Sequence, residues 1–227
     1  MRKPPFVILY EDRDVIVIDK AAGLLTTHTH LTSRAARDSQ LTAENLVSDY
    51  LRKGQIRSSR RAWLVHRLDR ETSGVLMFAK SPEVAEELRN AWHERTKKEY
   101  LAWVKGSLKA SEGRYESYLR EDPKTYKVFE TADPQKGKYA CTTWRRVRET
   151  SQATLVEIAL ETGRKNQIRV QFASRGNPVV GDVKYGGPKA KRLYLHAARL
   201  TVHLPNGQTQ VCESPCEFIH LKNPVGL

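Results

Sequence analysis

Residues 66–74, with the sequence HRLDRETSG, place one short acidic side chain among basic neighbours. Asp69 follows Arg67 and precedes Arg70, and the Thr-Ser-Gly end favours a turn ahead of a strand. Nearby positive charge keeps a carboxylate ionised even when water is excluded. An ionised, oriented carboxylate can act as nucleophile or base at a sugar. On spacing alone, a surface salt bridge is the more common explanation for such an Asp.

The segment leading into this stretch is strongly basic. Residues 52–70 contain one acid, Asp69, and seven basic side chains: Arg52, Lys53, Arg57, Arg60, Arg61, Arg67 and Arg70. The whole chain has 39 Lys and Arg against 26 Asp and Glu, a net charge of +13. Such an excess points to a polyanionic partner, and nucleic acid is the first candidate. A generally basic, solvated surface is the alternative.

Size and composition indicate a globular protein. The 227 residues are 39% hydrophobic and 29% charged, which suits one generous domain with a substantial core. Three cysteines are too few for a disulfide framework, and we expect reduced thiols. We expect no metal site, since neither Cys212 with Cys216 nor His28 with His30 has a second pair at finger-like spacing. The apolar stretch 6–10 is too short for a signal sequence or a membrane span, so we expect a cytoplasmic protein.

The pattern of apolar residues predicts more strands than helices. Strands are predicted at 6–10, 15–18, 74–79, 100–105, 154–160 and 193–204, with a β meander over 107–150. Helices are predicted at 41–52, from the capping sequence Ser81-Pro82-Glu83 onward, and at 166–174, and a loop is predicted at 21–40. Because the strands do not follow a regular βαβ order, we expect an α+β fold with a mixed, mostly antiparallel sheet flanked by helices and loops.

The sequence resembles a known family in residues 66–74. Residues 66–74 match throughout the His-Arg-Leu-Asp-x-x-Thr-Ser-Gly active-site motif of the RluA-type pseudouridine synthases. Further segments resemble the family in the family's own order, at 98–102, 162–169, 176–186 and 195–197. The resemblance extends from about residue 6 to about residue 218. It implies the pseudouridine synthase catalytic fold.

The resemblance also implies an activity and its partners. We expect an isomerase that converts uridine in ribosomal or transfer RNA to pseudouridine, with RNA as partner and without a cofactor. We expect one catalytic domain over residues 1–227, monomeric and not bound to a membrane. Many members of the family carry an accessory N-terminal RNA-binding domain, which we expect this chain to lack. Specificity is then expected to come from the surface of the catalytic domain.

Three residues receive catalytic roles from the resemblance. Asp69 is expected to act on the ribose, either by attacking the anomeric carbon or by removing the proton of the neighbouring carbon. Both routes stay open. Arg169 is expected to pair with Asp69 through its two-pronged guanidinium. Tyr100 is expected to stack on the uracil, although the pattern alone also fits a core tyrosine on a strand.

The remaining assignments concern RNA and the pocket. Arg67 is expected to fill the gap left when the uridine flips out of its stack. Leu68 and Ile168 are expected to line the pocket. Five further cations are expected to contact RNA: Lys20, Arg57, Arg60, Arg61 and Arg164. For Lys20 and Arg164, a structural role is equally compatible with the sequence.

The sequence departs from the family pattern at two positions, and two other functions stay open. Asn166 replaces the usual His of the second motif, and the turn after Lys20 lacks the usual Pro, which we expect to loosen it. A non-catalytic RNA-binding protein on the same scaffold is one alternative. A sugar hydrolase is another, but it needs a second acid near Asp69, and Glu71 is the neighbour in sequence.

Overall fold

The computed structural model describes residues 6–28, 40–55 and 58–225. The chain forms two compact units, the first comprising Met1–Thr96 with Arg199–Ser214 and the second Lys97–Ala198 with Pro215–Leu227. The single catalytic domain over residues 1–227 stays a prediction.

Eleven strands, four α-helices and one 3-10 helix occur in the part of the chain that the structure describes. The strands are β1 Phe6–Glu11, β2 Val15–Lys20, β3 Trp63–Leu64, β4 Ser73–Ala79, β5 Thr96–Lys105, β6 Glu112–Glu121, β7 Val128–Thr131, β8 Lys138–Glu149, β9 Ala153–Leu160, β10 Leu195–His203 and β11 Thr209–Glu213. The helices are α1 Ala43–Arg52, α2 Pro82–Asn90, α3 Trp92–Arg95 and α4 Gln167–Ser174, with the 3-10 helix at Val183–Tyr185.

The first unit is built around β2, which lies between β1 and β4 in antiparallel pairing. Its apolar residues from Val15 to Ile18 are fully buried, as expected for a central strand whose two faces are both covered. β3 also pairs with β4, and β11 forms an antiparallel hairpin with β10. Val17, Met77 and Leu88 belong to one hydrophobic cluster that joins this sheet to α2.

Side-chain caps set where the helices of this unit begin. Thr42 accepts a hydrogen bond from Asn45 N at 3.1 Å, so α1 begins at Ala43, two residues later than predicted. The predicted start of α2 is confirmed, since Ser81 accepts from Val84 N at 3.3 Å and Pro82 occupies the first turn.

The second unit is an antiparallel sheet with the strand order β5-β9-β8-β6-β7. The β meander predicted over 107–150 is wrong in its strand order, because β6 lies between β7 and β8 and pairs with both. Trp103 of β5 is fully buried, and its indole nitrogen donates to Phe218 O at 3.1 Å. α4 lies over β6 and β8, because Phe172 packs edge-on against Tyr115 at 5.1 Å and Trp144 at 6.2 Å between ring centroids. The face of α4 that carries Phe172 is therefore fixed to the sheet.

The α+β class and the mostly antiparallel pairing are confirmed. The predicted strands and helices are present with ends shifted by a few residues, whereas β3, α3 and β11 were not predicted. β3 and α3 are two and four residues long, too short to give a periodic signal. Across the described ranges, no helix combines the length and apolar character needed to cross a membrane.

Candidate functional site

The loop that contains Asp69, residues 66–74, is fixed from within the first unit and is called the motif loop below. Thr26 is 2% exposed, and its hydroxyl donates to Leu68 O at 2.8 Å while accepting from Leu68 N at 3.2 Å. On the other side, Thr72 N donates to Asp69 O at 3.1 Å and closes a turn. The backbone is thus held on both sides of Asp69, whose side chain is half-buried.

His66 attaches the start of the motif loop to the sheet. Its Nε2 accepts a hydrogen bond from Met77 N of β4 at 3.0 Å, which assigns the ring proton of neutral His66 to Nδ1. The imidazole also stacks on Trp92 of α3, with ring centroids 4.6 Å apart and an interplanar angle of 21°. His66 therefore positions the loop that Asp69 belongs to.

Lys20 joins the motif loop to the turn after β2. Its ammonium is fully buried and donates to Ala21 O at 2.9 Å, Leu24 O at 2.8 Å and Arg70 O at 3.2 Å. Gly23 N donates to Arg70 O at 2.8 Å, and Arg70 Nε returns a bond to Gly23 O at 3.0 Å. Of the two roles open to Lys20, this enclosure favours the structural one over RNA contact. The same bonds hold the turn that lacks the family's Pro, contrary to our expectation of a loose turn.

Arg169 is held by a buried ion pair in the second unit. Its Nε lies 2.7 Å from Asp182 Oδ2 and its Nη2 lies 2.8 Å from Asp182 Oδ1, the two-pronged geometry that fits a guanidinium best. The Asp182 side chain is fully buried and that of Arg169 is 11% exposed. The guanidinium carbon also lies 5.1 Å from the centroid of Tyr185. The predicted pairing of Arg169 with Asp69 stays a prediction.

Asn166, which stands where the family usually has His, makes side-chain hydrogen bonds with Arg169 and Tyr185. It immediately precedes α4 and lies in the left-handed region with φ of +54°, a conformation that Asn tolerates better than most residues. Its Oδ1 accepts from Arg169 Nη1 at 3.2 Å, and its Nδ2 donates to the Tyr185 hydroxyl at 2.9 Å. Asn166 therefore adds a second support for the Arg169 guanidinium.

Gln167 fixes the first turn of α4. It is 2% exposed, and its Oε1 accepts from the Thr162 hydroxyl at 2.8 Å and from Arg164 N at 3.0 Å. Its Nε2 donates to Cys141 O of β8 at 3.0 Å. Because Arg169 lies two residues further along the helix, these bonds also set the position of its backbone.

Tyr100 lies on β5 and is 9% exposed, opposite Ile158 of β9. Lys98 precedes it by two residues and so points to the same face of the strand. Lys98 is 6% exposed, and its Nζ has no hydrogen-bond acceptor within the described segments. Burial lowers the pKa of the Lys98 ammonium below its ordinary value, and the nearby Arg164 guanidinium lowers it further. We did not predict a role for Lys98, although its spacing from Tyr100 was visible in the sequence.

The cations predicted to contact RNA differ in their surroundings. Arg60 and Arg67 are exposed, as phosphate contacts require. The Arg61 guanidinium lies 3.8 Å from the ring centroid of Trp63, a stacked cation–π arrangement. Arg57 lies outside the described residues. These placements leave the RNA contacts of Arg60, Arg61 and Arg67 as predictions.

The residues predicted to line the pocket are both buried. Leu68 in the first unit and Ile168 in the second are each 4% exposed. Arg164 is half-buried, and its Nε donates to Tyr139 O at 2.9 Å. The pocket itself stays a prediction.

Comparison with known proteins identifies the family. A family model described as RNA pseudouridylate synthase matches residues 14–174 of the chain. The chain belongs to this family. It is accordingly an RNA pseudouridine synthase, an isomerase, as the resemblance implied.

Individual relatives agree with this membership. The chain is 33% identical to the dual-specificity RNA pseudouridine synthase RluA of Escherichia coli (strain K12), over 96% of each chain. It is 35% identical to the ribosomal large subunit pseudouridine synthase D of Nitrosomonas europaea, over 93% of this chain and 62% of that one. The RNA pseudouridine synthase activity predicted from the motif loop is thereby confirmed at the level of the family.

Two solved human structures confirm the fold. RNA pseudouridylate synthase domain containing 4 superposes with a TM-score of 0.74 at 23% identity, covering 94% of this chain and 90% of that one. RNA pseudouridylate synthase domain containing 1 gives the same TM-score at 22% identity, covering 96% and 86%. The predicted pseudouridine synthase catalytic fold is therefore present.

Proposed function

We propose that Asp69 is the catalytic carboxylate of this RNA pseudouridine synthase and that its substrate is a uridine in ribosomal or transfer RNA. The observation that carries the proposal is the motif loop, in which Thr26 and the Thr72 turn fix the backbone on both sides of Asp69. A preset position favours catalysis because little ordering is left for the reaction itself. The name of the Nitrosomonas europaea relative specifies the large ribosomal subunit, which supports ribosomal RNA as one substrate.

In the proposed reaction the bond between N1 of uracil and C1′ of ribose breaks, and a bond between C5 and C1′ forms. Asp69 either attacks C1′ and is later displaced, or removes the C2′ proton to give a glycal and then returns it. In both routes the N1–C1′ electron pair leaves with the uracil. After C5 has bonded to C1′, the C5 proton is lost and N1 takes up a proton, so product and substrate are isomers. Uracil is leaving group and nucleophile in turn, and no oxidant or reductant enters.

The other catalytic assignments follow from the family resemblance and are part of the proposal. Arg169, supported by Asp182 and Asn166, would pair with Asp69 and keep it ionised. Tyr100 would stack on the uracil once it has left the helix stack. Arg67, which is exposed, would take the place of the flipped base.

The proposal assigns binding roles to a wider set of residues. Leu68 and Ile168 would line the uracil pocket. The cations that would contact the RNA backbone are Arg57, Arg60, Arg61 and Arg164. A cytoplasmic, monomeric enzyme without a cofactor stays our expectation.

The test compares Asp69→Asn with Glu71→Gln, a matched change of the exposed acid two residues away. The substrate is cellular ribosomal and transfer RNA labelled with tritium at C5 of uridine, because isomerisation releases that hydrogen to water. We expect Asp69→Asn to lose at least about 10³-fold in rate, as removal of a nucleophile does in other enzymes. Glu71→Gln should keep the rate of the unchanged chain.

Each remaining outcome has a definite meaning. Full activity of Asp69→Asn would overturn the assignment of Asp69. No tritium release by the unchanged chain on either RNA class, together with retained RNA affinity, would support a non-catalytic RNA-binding protein. Release of free uracil, with loss of activity in Glu71→Gln, would support the two-carboxylate hydrolase.

A further inference from the structure

The turn between β6 and β7, residues 122–127, presents Tyr126 to solvent in an unusual way. Its side chain is 64% exposed, among the highest values for a large apolar residue of the described chain. Its backbone has φ of +53°, in the left-handed region that glycine or Asn occupies more readily. A bulky side chain in this conformation is strained, and such strain persists only where the surroundings impose it.

The surroundings of the 122–127 turn do impose this conformation. The Asp122 carboxylate accepts from Lys124 N and from the Thr125 hydroxyl, each at 2.8 Å. Tyr126 N donates to Asp122 O at 2.8 Å, and Asp122 N donates to Lys127 O at 2.9 Å. Every one of these bonds is made by the backbone or by neighbouring side chains. The tyrosine ring contributes none of them, so the turn does not need a tyrosine for its own stability.

A second anchor comes from elements outside the turn. Lys184 of the 3-10 helix donates from Nζ to Tyr126 O at 3.2 Å. Lys165, at the start of the α4 region, places its Nζ 5.8 Å from the centroid of the Tyr126 ring and is ion-paired with Glu121. Lys165 thus lies beside the ring, and Lys184 holds the backbone carbonyl of the same residue.

The charge around the ring is positive. Four exposed lysines belong to the turn or contact its residues: Lys124, Lys127, Lys165 and Lys184. The two adjacent acids are already engaged, since Asp122 accepts bonds of the turn and Glu121 pairs with Lys165. An exposed aromatic face among cations is the arrangement with which proteins bind single-stranded RNA, because bases stack on the ring and phosphates contact the ammonium groups.

The turn is also connected to the Arg169 network within the same unit. Lys127 Nζ lies 5.5 Å from the centroid of the Tyr185 ring, and Val128 N donates to the Tyr185 hydroxyl at 3.2 Å. The same hydroxyl accepts from Asn166, which in turn contacts Arg169. A ligand bound at the turn would therefore contact residues that also touch Tyr185.

We propose that Tyr126 is a stacking platform for an unpaired base of the substrate RNA, a base other than the uridine that reacts. The lysines around it would contact the adjoining phosphates. The inference rests on RNA being the substrate, and it adds to that function a position at which a second, unpaired nucleotide is selected. Such a platform would let the enzyme prefer RNA loops over duplexes, because a paired base offers no free face for stacking.

The experiment measures the affinity of the full chain for fluorescein-labelled 12-nucleotide oligoadenylate and oligouridylate by anisotropy, with inorganic polyphosphate as a competitor that has charge but no bases. Tyr126→Gly removes the ring and relieves the positive φ, so the fold is preserved or stabilised. Tyr126→Phe and Tyr126→Trp keep a ring. Phe129→Ala is the matched control, since Phe129 is another exposed aromatic residue on the neighbouring strand β7.

We expect Tyr126→Gly to weaken binding of the oligonucleotides roughly 5- to 150-fold, the loss that follows from one stacked base. Its melting temperature should equal or exceed that of the unchanged chain, its affinity for polyphosphate should stay the same, and the Phe and Trp variants should bind RNA normally. Unchanged RNA affinity in Tyr126→Gly would overturn the proposal. An equal loss for polyphosphate, or an equal loss in Phe129→Ala, would do so as well.

Failure of this inference is distinguishable from failure of the proposed catalytic role. The binding measurements need no turnover, so full activity of Asp69→Asn would remove the assignment of Asp69 and leave the Tyr126 comparison intact. Conversely, an inactive Asp69→Asn combined with an RNA affinity that does not depend on Tyr126 would refute the platform alone.

Discussion

Replacing Asp182 by Asn removes the charge that holds Arg169 in place. The carboxylate makes two hydrogen bonds with the guanidinium, at 2.7 and 2.8 Å, and is fully buried. The carbonyl oxygen of an Asn amide would accept one of these hydrogen bonds. Its NH2 group would take the place of the second acceptor and point a donor at the guanidinium. The backbone of residue 182 keeps its role, since its carbonyl accepts from Tyr185 N and Gly187 N independently of the side chain.

The size of the stability loss follows from the burial of this ion pair. Removing one partner of a buried ion pair leaves the other charge desolvated and costs about 3–5 kcal/mol. For a chain of this size each kcal/mol lowers the melting temperature by roughly 2–4 °C, so the fall for Asp182→Asn should be about 6–20 °C. Turnover should also fall, on the order of 10²-fold, because Arg169 loses one of the partners that orient it.

The matched control is Glu157→Gln, which breaks another Arg–carboxylate pair in the same unit. Arg145 lies 2.6 Å from Glu157, but their side chains are 66% and 39% exposed. An exposed pair contributes about 0–1 kcal/mol, so this variant should melt within a few degrees of the unchanged chain. The comparison separates the effect of burial from the loss of an ion pair as such.

Urea and thermal unfolding, monitored by tryptophan fluorescence, measure the loss of stability. Tritium release from labelled RNA measures the loss of turnover. A double variant, Arg169→Met with Asp182→Val, replaces the pair by apolar side chains and should regain most of the stability while staying inactive. If Asp182→Asn loses less than about 1 kcal/mol, like Glu157→Gln, the ion pair does not hold Arg169 and the argument is wrong.

Three further variants test other parts of the structure. Lys98→Met should stabilise the fold, by about 1 kcal/mol or more, because it removes a buried ammonium. The pKa of Lys98 is lower in the folded state than in the unfolded state, so the destabilisation caused by its ammonium is fully present below the folded-state pKa. This destabilisation disappears as the pH rises from the folded-state pKa toward the unfolded value. The gain in free energy of unfolding from Lys98→Met should therefore shrink in unfolding curves measured at increasing pH. Thr26→Val should cost roughly 2 kcal/mol in urea unfolding and reduce tritium release, since it leaves two buried backbone groups of the motif loop without their partner. Gly181→Ala should lower the yield of folded protein severely, because φ is +84° and a Cβ would lie 1.9 Å from a backbone carbonyl oxygen.

Controls for these variants are available in the chain. Lys97→Met changes an exposed neighbour of Lys98 and should leave stability within about 0.5 kcal/mol. Thr26→Ser keeps the hydroxyl and should retain activity. Gly186→Ala has φ of +81° but no atom within 4 Å of the added Cβ, so it should cost far less than Gly181→Ala. A destabilised Lys98→Met, an active Thr26→Val or a normally folded Gly181→Ala would contradict the respective reasoning.

The sequence predicted well those features that depend on neighbours along the chain. The alternation of 154–160 predicted β9, and the order Ser81-Pro82-Glu83 predicted the start of α2, because pleat and cap are local effects. The motif loop predicted the family. It did not reveal how that loop is held, since Thr26 and Leu68 are 42 residues apart.

The features that the sequence did not reveal depend on long-range burial. Whether a lysine is exposed or enclosed depends on the path of distant segments, so Lys20 and Lys98 could not be told from surface lysines. The bond from Arg169 to Asp182 likewise requires the turn after α4 to fold back. Positive φ at Tyr126 had no signal at all, because tyrosine is not a residue that marks the left-handed region.

Lys20 also determines how the junction between two separate segments is assembled. Its ammonium gathers three carbonyl oxygens from two segments, much as a bound metal ion gathers oxygen ligands from separate loops. Unlike a metal ion, this cation is covalently attached to the chain, so a chelator cannot extract it and dilution cannot remove it. The junction between the turn after β2 and the motif loop is therefore built in when the chain is synthesised, and its assembly does not vary with the ionic composition around the protein.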